Sequence, residues 1–192
     1  MFIDGDTRYI GRVDNTLIDK LAEISLKVNW LHHKFDRPET QLIEGRLCTL
    51  PYPIRNETHK IYTEEQLQLI DAALPVVDVI MTYFPGFKKM RGEVVNLLPG
   101  KQLTLHTDPQ WFHKYSHRVH VPIITNLNCY QIFEDREVHL ETGCMYEINN
   151  RIMHSARNSS NEPRVHLIVD IISPEKAEEA RNNKSMAIQH ET

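Results

Sequence analysis

The sequence predicts a mainly β protein with N-terminal helices, its strands forming a jelly-roll sandwich or barrel. Two observations predict this class. Apolar residues recur at helical spacing before position 91 and at a period of two from Arg91 onward. The second stretch also breaks into about eight short runs separated by turn residues, as sandwiches and barrels do. A length of 192 residues suits one domain with a full core. That domain divides into a helical support segment (1–90), a jelly-roll core (91–172) and a polar C-terminal tail (173–192).

A short strand is expected at Tyr9–Val13. Asp14 or Asn15 can then cap a helix that carries Leu17, Leu21, Ile24 and Val28 on one face. Residues 31–60 mix prolines and charges without a clean period and read as loops, with one short strand around Arg46–Leu50. Thr63 and Gln66 form a capping box. Behind it, Leu67, Ile70, Leu74, Val77 and Met81 mark the expected buried face of a second helix. Pro75 is expected to kink that helix and Pro85-Gly86 to end it. Strands follow at Arg91–Leu98, Gln102–Asp108, Arg118–Thr125, Tyr130–Glu134, Glu137–Glu141, Cys144–Asn149, His154–Asn158 and Arg164–Ile172. Pro99-Gly100 turns between the first two, and the charged tail beyond Pro174 reads as a loose helix or a disordered end.

Composition narrows the partners. At 41% hydrophobic and 25% charged residues, the chain is an ordinary soluble globular protein. A net charge of -4 with no stripe of Lys and Arg argues against nucleic acid. The most apolar segment, Leu74 to Phe84, is too short to cross a membrane and carries Asp78. The start, MFIDGDTRYIG, is acidic and mixed, unlike a secretory signal. Three widely spaced cysteines (Cys48, Cys129, Cys144) favour a reducing compartment over a disulfide framework. A cytoplasmic location follows as the expectation.

The chemistry gathers in the strand-rich half. His106-Thr107-Asp108 ends a predicted strand, where residues i and i+2 share a face. Two histidines and a carboxylate on one side of a metal leave its other positions open, the arrangement of non-haem iron(II) oxygenases. With 11 histidines in the chain, His-x-Asp also arises by chance and reads equally as a surface turn. His139-Leu140-Glu141 offers a competing pair, in a hairpin with no arginine spaced to serve it. His154 follows Asp108 by 46 positions, room for the strands that intervene between ligands in a jelly roll.

Arg118-Val119-His120 and Arg164-Val165-His166 each set a guanidinium and an imidazole on one side of an otherwise apolar strand. Arginines inside a barrel are costly unless an anion answers them. That anion is either a dicarboxylate such as 2-oxoglutarate, gripped by two prongs, or an internal acid such as Asp170 or Glu93. The stretch from Pro109 to His117 follows Asp108 directly. Its aromatics Trp111, Phe112 and Tyr115 read either as a lid or substrate wall or as plugs of the barrel end. His113 and His166 complete the candidate substrate residues.

From Leu98 to Asp170 the chain resembles the aspartyl/asparaginyl beta-hydroxylase family of 2-oxoglutarate oxygenases. The match is carried by Pro99-Gly100, His106-Thr107-Asp108, Arg118 through Asn126, Gly143 through Asn149, His154-Ser155 with Asn158, and Arg164 through Asp170. The resemblance implies a cupin-like double-stranded β-helix with Fe(II) held by His106, Asp108 and His154. It also implies 2-oxoglutarate held by Arg164, with Arg118 and His120 helping to orient it. The implied activity uses O2 to hydroxylate a peptidyl Asp, Asn or Pro residue, or a free amino acid, releasing succinate and CO2. Some animal members lack the iron-binding carboxylate, whereas Asp108 is present here. Two other readings stand beside it: a catalytically silent module that binds metal or 2-oxoglutarate, and a cupin-like metalloenzyme that uses no 2-oxoglutarate. The last leaves two buried arginines without a task.

Overall fold

Alternation of side chains along the strands builds two antiparallel sheets here. The structure, a computed structural model, describes residues 5–28, 30–32, 40–45, 63–108, 111–134 and 136–180. Its strands are β1 (Thr7–Arg12), β2 (Leu31–His32), β3 (Thr40–Gly45), β4 (Lys88–Leu97), β5 (Lys101–Gln102), β6 (Ser116–Ile124), β7 (Cys129–Phe133), β8 (Arg136–Val138), β9 (Cys144–Ile148), β10 (His154–Asn158) and β11 (Arg164–Ile172). The helices are α1 (Asn15–Ser25) and α2 (Glu64–Thr82). One sheet has the order β1-β9-β6-β11-β4-β3-β2 and the other β5-β10-β7-β8. This is a jelly roll whose two sheets, among the described residues, are not hydrogen-bonded into a closed ring.

The central strands β6 and β11 are buried on both faces. Val119, Val121 and Ile123 of β6 and Val165, Leu167, Val169 and Ile171 of β11 pack in one apolar cluster with Ile18 and Leu21 of α1 and Leu69, Val76 and Ile80 of α2. Each such side chain taken from water contributes about 1.5–3 kcal/mol. Period two then forces Arg118 and His120, and Arg164, His166 and Asp170, onto the opposite face, toward the second sheet. Antiparallel register sets Asp170 opposite Arg118 and Ile168 opposite His120.

Helix ends follow their capping signals. The Asp14 carboxylate accepts from the Thr16 N–H at 2.8 Å, and the Thr63–Gln66 box closes at 3.0 and 3.3 Å. The buried face of α2 differs from the expected one. Leu69, Ala72, Ala73, Val76, Val77 and Ile80 face the core, while Leu67 and Leu74 are exposed. Both stripes have helical spacing; the one with two alanines lets the helix approach its neighbours closely. α2 runs through Pro75 unbroken, because Pro75 is exposed and the carbonyl it leaves without a donor can be hydrated.

The segment read as loops contributes β2 and β3 to the edge of the large sheet; the strand expected at Arg46–Leu50 lies outside the described residues. The strand expected to run to Asp108 is regular only as β5, although Leu103 N–H still donates to Ala156 O at 2.9 Å. Residues 174–180 are helical, started by Ser173, whose hydroxyl accepts from Lys176 N–H at 3.2 Å. Ala177 there packs on Met90 and Ile172. Among the described residues no helix is long and apolar enough to cross a membrane.

Candidate active site

His106 and His154 are brought together by the backbone itself. They face each other as an antiparallel pair, His106 N–H donating to His154 O at 2.9 Å and His154 N–H to His106 O at 2.8 Å. Their rings lie 4.6 Å apart. Each ring is also oriented through Nδ1, which meets Thr104 O at 2.7 Å in His106 and Ile152 O at 2.9 Å in His154. A carbonyl can only accept, so Nδ1 carries the proton and Nε2 keeps a free lone pair. That is the tautomer a metal ligand needs.

The two Nε2 atoms lie 3.8 and 4.0 Å from Oδ1 and Oδ2 of Asp108. His106, Asp108 and His154 thus form a cluster whose ligand atoms all fall within 4.8 Å of one another. Two imidazole nitrogens and a carboxylate fit a divalent transition ion and leave further positions open. Burial alone would raise the Asp108 pKa, but Arg118, with His113 and His154, outweighs it and holds the carboxyl below its usual value. Burial lowers the His154 pKa, keeping that ring neutral. The competing pair does not assemble: His139 Nδ1 meets Cys129 O at 3.0 Å, and Glu141 is exposed.

The two arginines have different surroundings. Arg118, for which the sequence leaves open both an orienting role toward the cosubstrate and a pairing with an internal acid such as Asp170, forks onto Asp170, Nε to Oδ1 and Nη2 to Oδ2, both at 2.8 Å. Its Nη1 donates to Asp108 Oδ2, and its Nη2 meets His113 Nε2 at 2.7 Å. Arg164 is 7% exposed and pairs with no carboxylate among the described residues. Its one hydrogen bond among the described residues is a 3.4 Å contact from Nη2 to Gln131 Oε1 on the facing sheet. Burial pushes its pKa down to about 10.

His166 follows two residues later, 1% exposed, with no partner for either ring nitrogen among the described residues. It stands edge-on to His120 at 5.8 Å, and His120 Nδ1 is likewise without a partner. Burial, and then Arg118 and Arg164 beside His120 or Arg164 beside His166, hold both imidazoles well below their usual pKa. Buried ring nitrogens and a guanidinium that meet no carboxylate among the described residues have the chemistry of an anion cradle. The residues present therefore fit a dicarboxylate.

For the segment after Asp108, lid or substrate wall and plug of the barrel end both stay open. Trp111–Lys114 form a single 3-10 turn, and the side chains of Trp111 and Phe112 lie outside what is described. His113 is buried against Arg118 rather than offered to a substrate. Tyr115 packs on the cluster of Met90, Ile172 and Ala177. His166 lies between the sheets, not at their rim. Gln131 was not singled out from the sequence; its signal is a polar residue between Cys129 and Phe133, at an inward position of β7.

Comparison with known proteins follows the same lines. A family profile described as Aspartyl/Asparaginyl beta-hydroxylase matches residues 59–174. No significant match is found among curated protein sequences. Several solved structures are similar in fold. The viral collagen prolyl hydroxylase of Paramecium Bursaria Chlorella virus-1, in complex with 2OG, superposes with a TM-score of 0.53 at 10% identity, covering 88% of this chain and 97% of that one. The non-heme alpha ketoglutarate dependent epimerase SnoN from nogalamycin biosynthesis gives 0.58 at 14% identity, covering 88% and 77%. HygX from Streptomyces hygroscopicus, with nickel and 2-oxoglutarate bound, gives 0.57 at 10% identity, covering 88% and 83%.

Proposed function

The chain belongs to the aspartyl/asparaginyl beta-hydroxylase family, and on that premise we propose that it is an Fe(II)- and 2-oxoglutarate-dependent dioxygenase that hydroxylates an amino acid, free or within a peptide. The observation that carries this reading is Arg164, a buried guanidinium with no carboxylate partner among the described residues, on the same interior as the His106–Asp108–His154 cluster. A metal ligand set alone fits many enzymes. A neighbouring cradle for a second anion narrows the choice to those that bind an acid beside the metal.

In this reading His106 and His154 present neutral Nε2 donors and Asp108 an ionised oxygen to the iron. Arg164 takes the far carboxylate of 2-oxoglutarate in a two-pronged contact. His166 and His120, both neutral, have ring nitrogens free to bond the same molecule. Bound together, the metal and 2-oxoglutarate supply the oxidative chemistry, in which the cosubstrate is decarboxylated to succinate and CO2 and the substrate gains hydroxyl from O2. The remaining work of the protein is to orient these groups and keep water out.

The direct test incubates the protein with Fe(II), 2-oxoglutarate and panels of amino acids and peptides. Succinate release coupled to addition of one oxygen atom to a substrate is the expected result. Metal-loaded protein that binds no 2-oxoglutarate, or activity that depends on zinc alone, would overturn the proposal.

A further inference from the structure

Asp108 is the ligand with the least help from the backbone. The histidines sit on a paired ladder with their rings tied to carbonyls. Asp108 lies past β5, outside any strand, with its own N–H bonded to Asn150 O at 3.1 Å. Its carboxylate must be aimed by something else. Arg118 Nη1 takes Oδ2, while Oδ1 lies 3.8 Å from His106 Nε2 on the side of the cluster; the Asn150 side chain also stabilises the carboxylate.

What holds Arg118 in that pose is Asp170. It lies near the end of β11, 1% exposed and in register with Arg118 on β6. Its two oxygens occupy Nε and one hydrogen of Nη2, and His113 Nε2 meets Nη2 as well. A guanidinium has two two-pronged edges, Nε with Nη2 and Nη2 with Nη1. With Nε and one hydrogen of Nη2 held by Asp170 and the other hydrogen of Nη2 by His113, it can offer Asp108 a single prong, from Nη1. Released, the fork could turn onto Asp108 and cover both oxygens, competing with the ion.

We propose that Asp170 is a positioning residue for the metal carboxylate, clamping Arg118 so that Asp108 keeps one oxygen free for the ion. The inference rests on the metal-site reading given above. Asp170 touches no metal in this scheme; it acts through Arg118, with His113 Nε2 3.7 Å from its Oδ2. A partner behind a ligand typically changes metal affinity about 10–100-fold.

The test measures Mn(II) or Co(II) binding to the whole protein without cosubstrate, by calorimetry and by the Co(II) absorption spectrum. Asp170→Asn is expected to weaken binding about tenfold and to alter the Co(II) bands. Adding Arg118→Gln should recover affinity, because no fork remains to cover Asp108. A role confined to packing would instead make the double variant equal to or worse than Asp170→Asn. Should Asp170→Asn fail to fold, the double variant, a neutral amide pair of similar shape, is compared with Arg118→Gln. Equal affinities support the clamp, and a further loss overturns it. Wild-type protein that binds neither ion, or His106→Ala that binds as wild type, would sink the metal site itself. Wild-type binding with an unchanged Asp170→Asn would sink only the clamp.

Discussion

A guanidinium buried without a carboxylate is stable only if something else answers its charge, and among the described residues Arg164 is in that position. Arg164→Ala should weaken 2-oxoglutarate binding to metal-loaded protein by about 3 kcal/mol, roughly a hundredfold. Arg164→Lys keeps the charge but loses the fork, so it should fall between, as titration calorimetry would show. Arg164→Met should leave the ligand-free protein at least as stable as wild type, since it removes an unanswered charge and keeps the volume. A large fall in melting temperature would mean that Arg164 is already paired. His106→Ala or Asp108→Ala should each lose metal while keeping the far-ultraviolet spectrum of the folded chain; stoichiometric iron in either would refute its role as a ligand. Arg164 could be picked out from the sequence because both the apolar run around it and its distance from His154 lie within a few residues. For Arg118 the choice between a ligand and an internal acid such as Asp170 stayed open, because Asp170 is 52 residues away and meets it only through strand register.

At the scale of elements, the turn from β10 to β11 sets where Arg164 begins. Asn158, fully buried, donates through Nδ2 to Leu97 O at 3.0 Å and Glu162 O at 2.8 Å, and its Oδ1 accepts from Ser160 N–H at 3.1 Å. Asn158→Ala strands these groups, and the expected cost is about 3 kcal/mol, read from chemical denaturation. The same variant should weaken 2-oxoglutarate binding, since the turn positions the arginine strand; unchanged stability would show that water replaces the side chain. Strands β10 and β11 were legible to the residue because turn residues bound them, and β11 also carries an apolar run. The face of α2 was not. Leu67 and Leu74 fit a helical stripe as well as Leu69 and Val76 do, and only packing against α1 and the large sheet decides between them. The edge strands β2 and β3 lacked a readable period, because their place is set by pairing with β4 rather than by an alternation of their own.

Over the whole molecule, acid should act first through the buried histidines. His120 and His166 are neutral in the fold, with pKa values held well below the usual 6.5. The unfolded chain therefore binds more protons than the folded one once the pH drops below about 6.5. The stability linked to these rings is complete above that pH and is lost as the pH falls, by up to about 1.4 kcal/mol per unit for each ring. His166→Gln should flatten the slope between about pH 6.5 and 5.5 in denaturant titrations; an unchanged slope would mean that the ring is protonated in the fold. The carboxyl of Asp170 is depressed instead. Burial opposes this, but Arg118 prevails, so its contribution survives until the pH falls below the usual 3.8. β6 and β11 give one face to the apolar layer under the helices and the other to the site. Heat cannot silence such a site ahead of the fold, because freeing Val119 or Leu167 frees Arg118 or Arg164 in the same event. Inactivation and melting should trace one curve, with no interval of folded but inert protein between them.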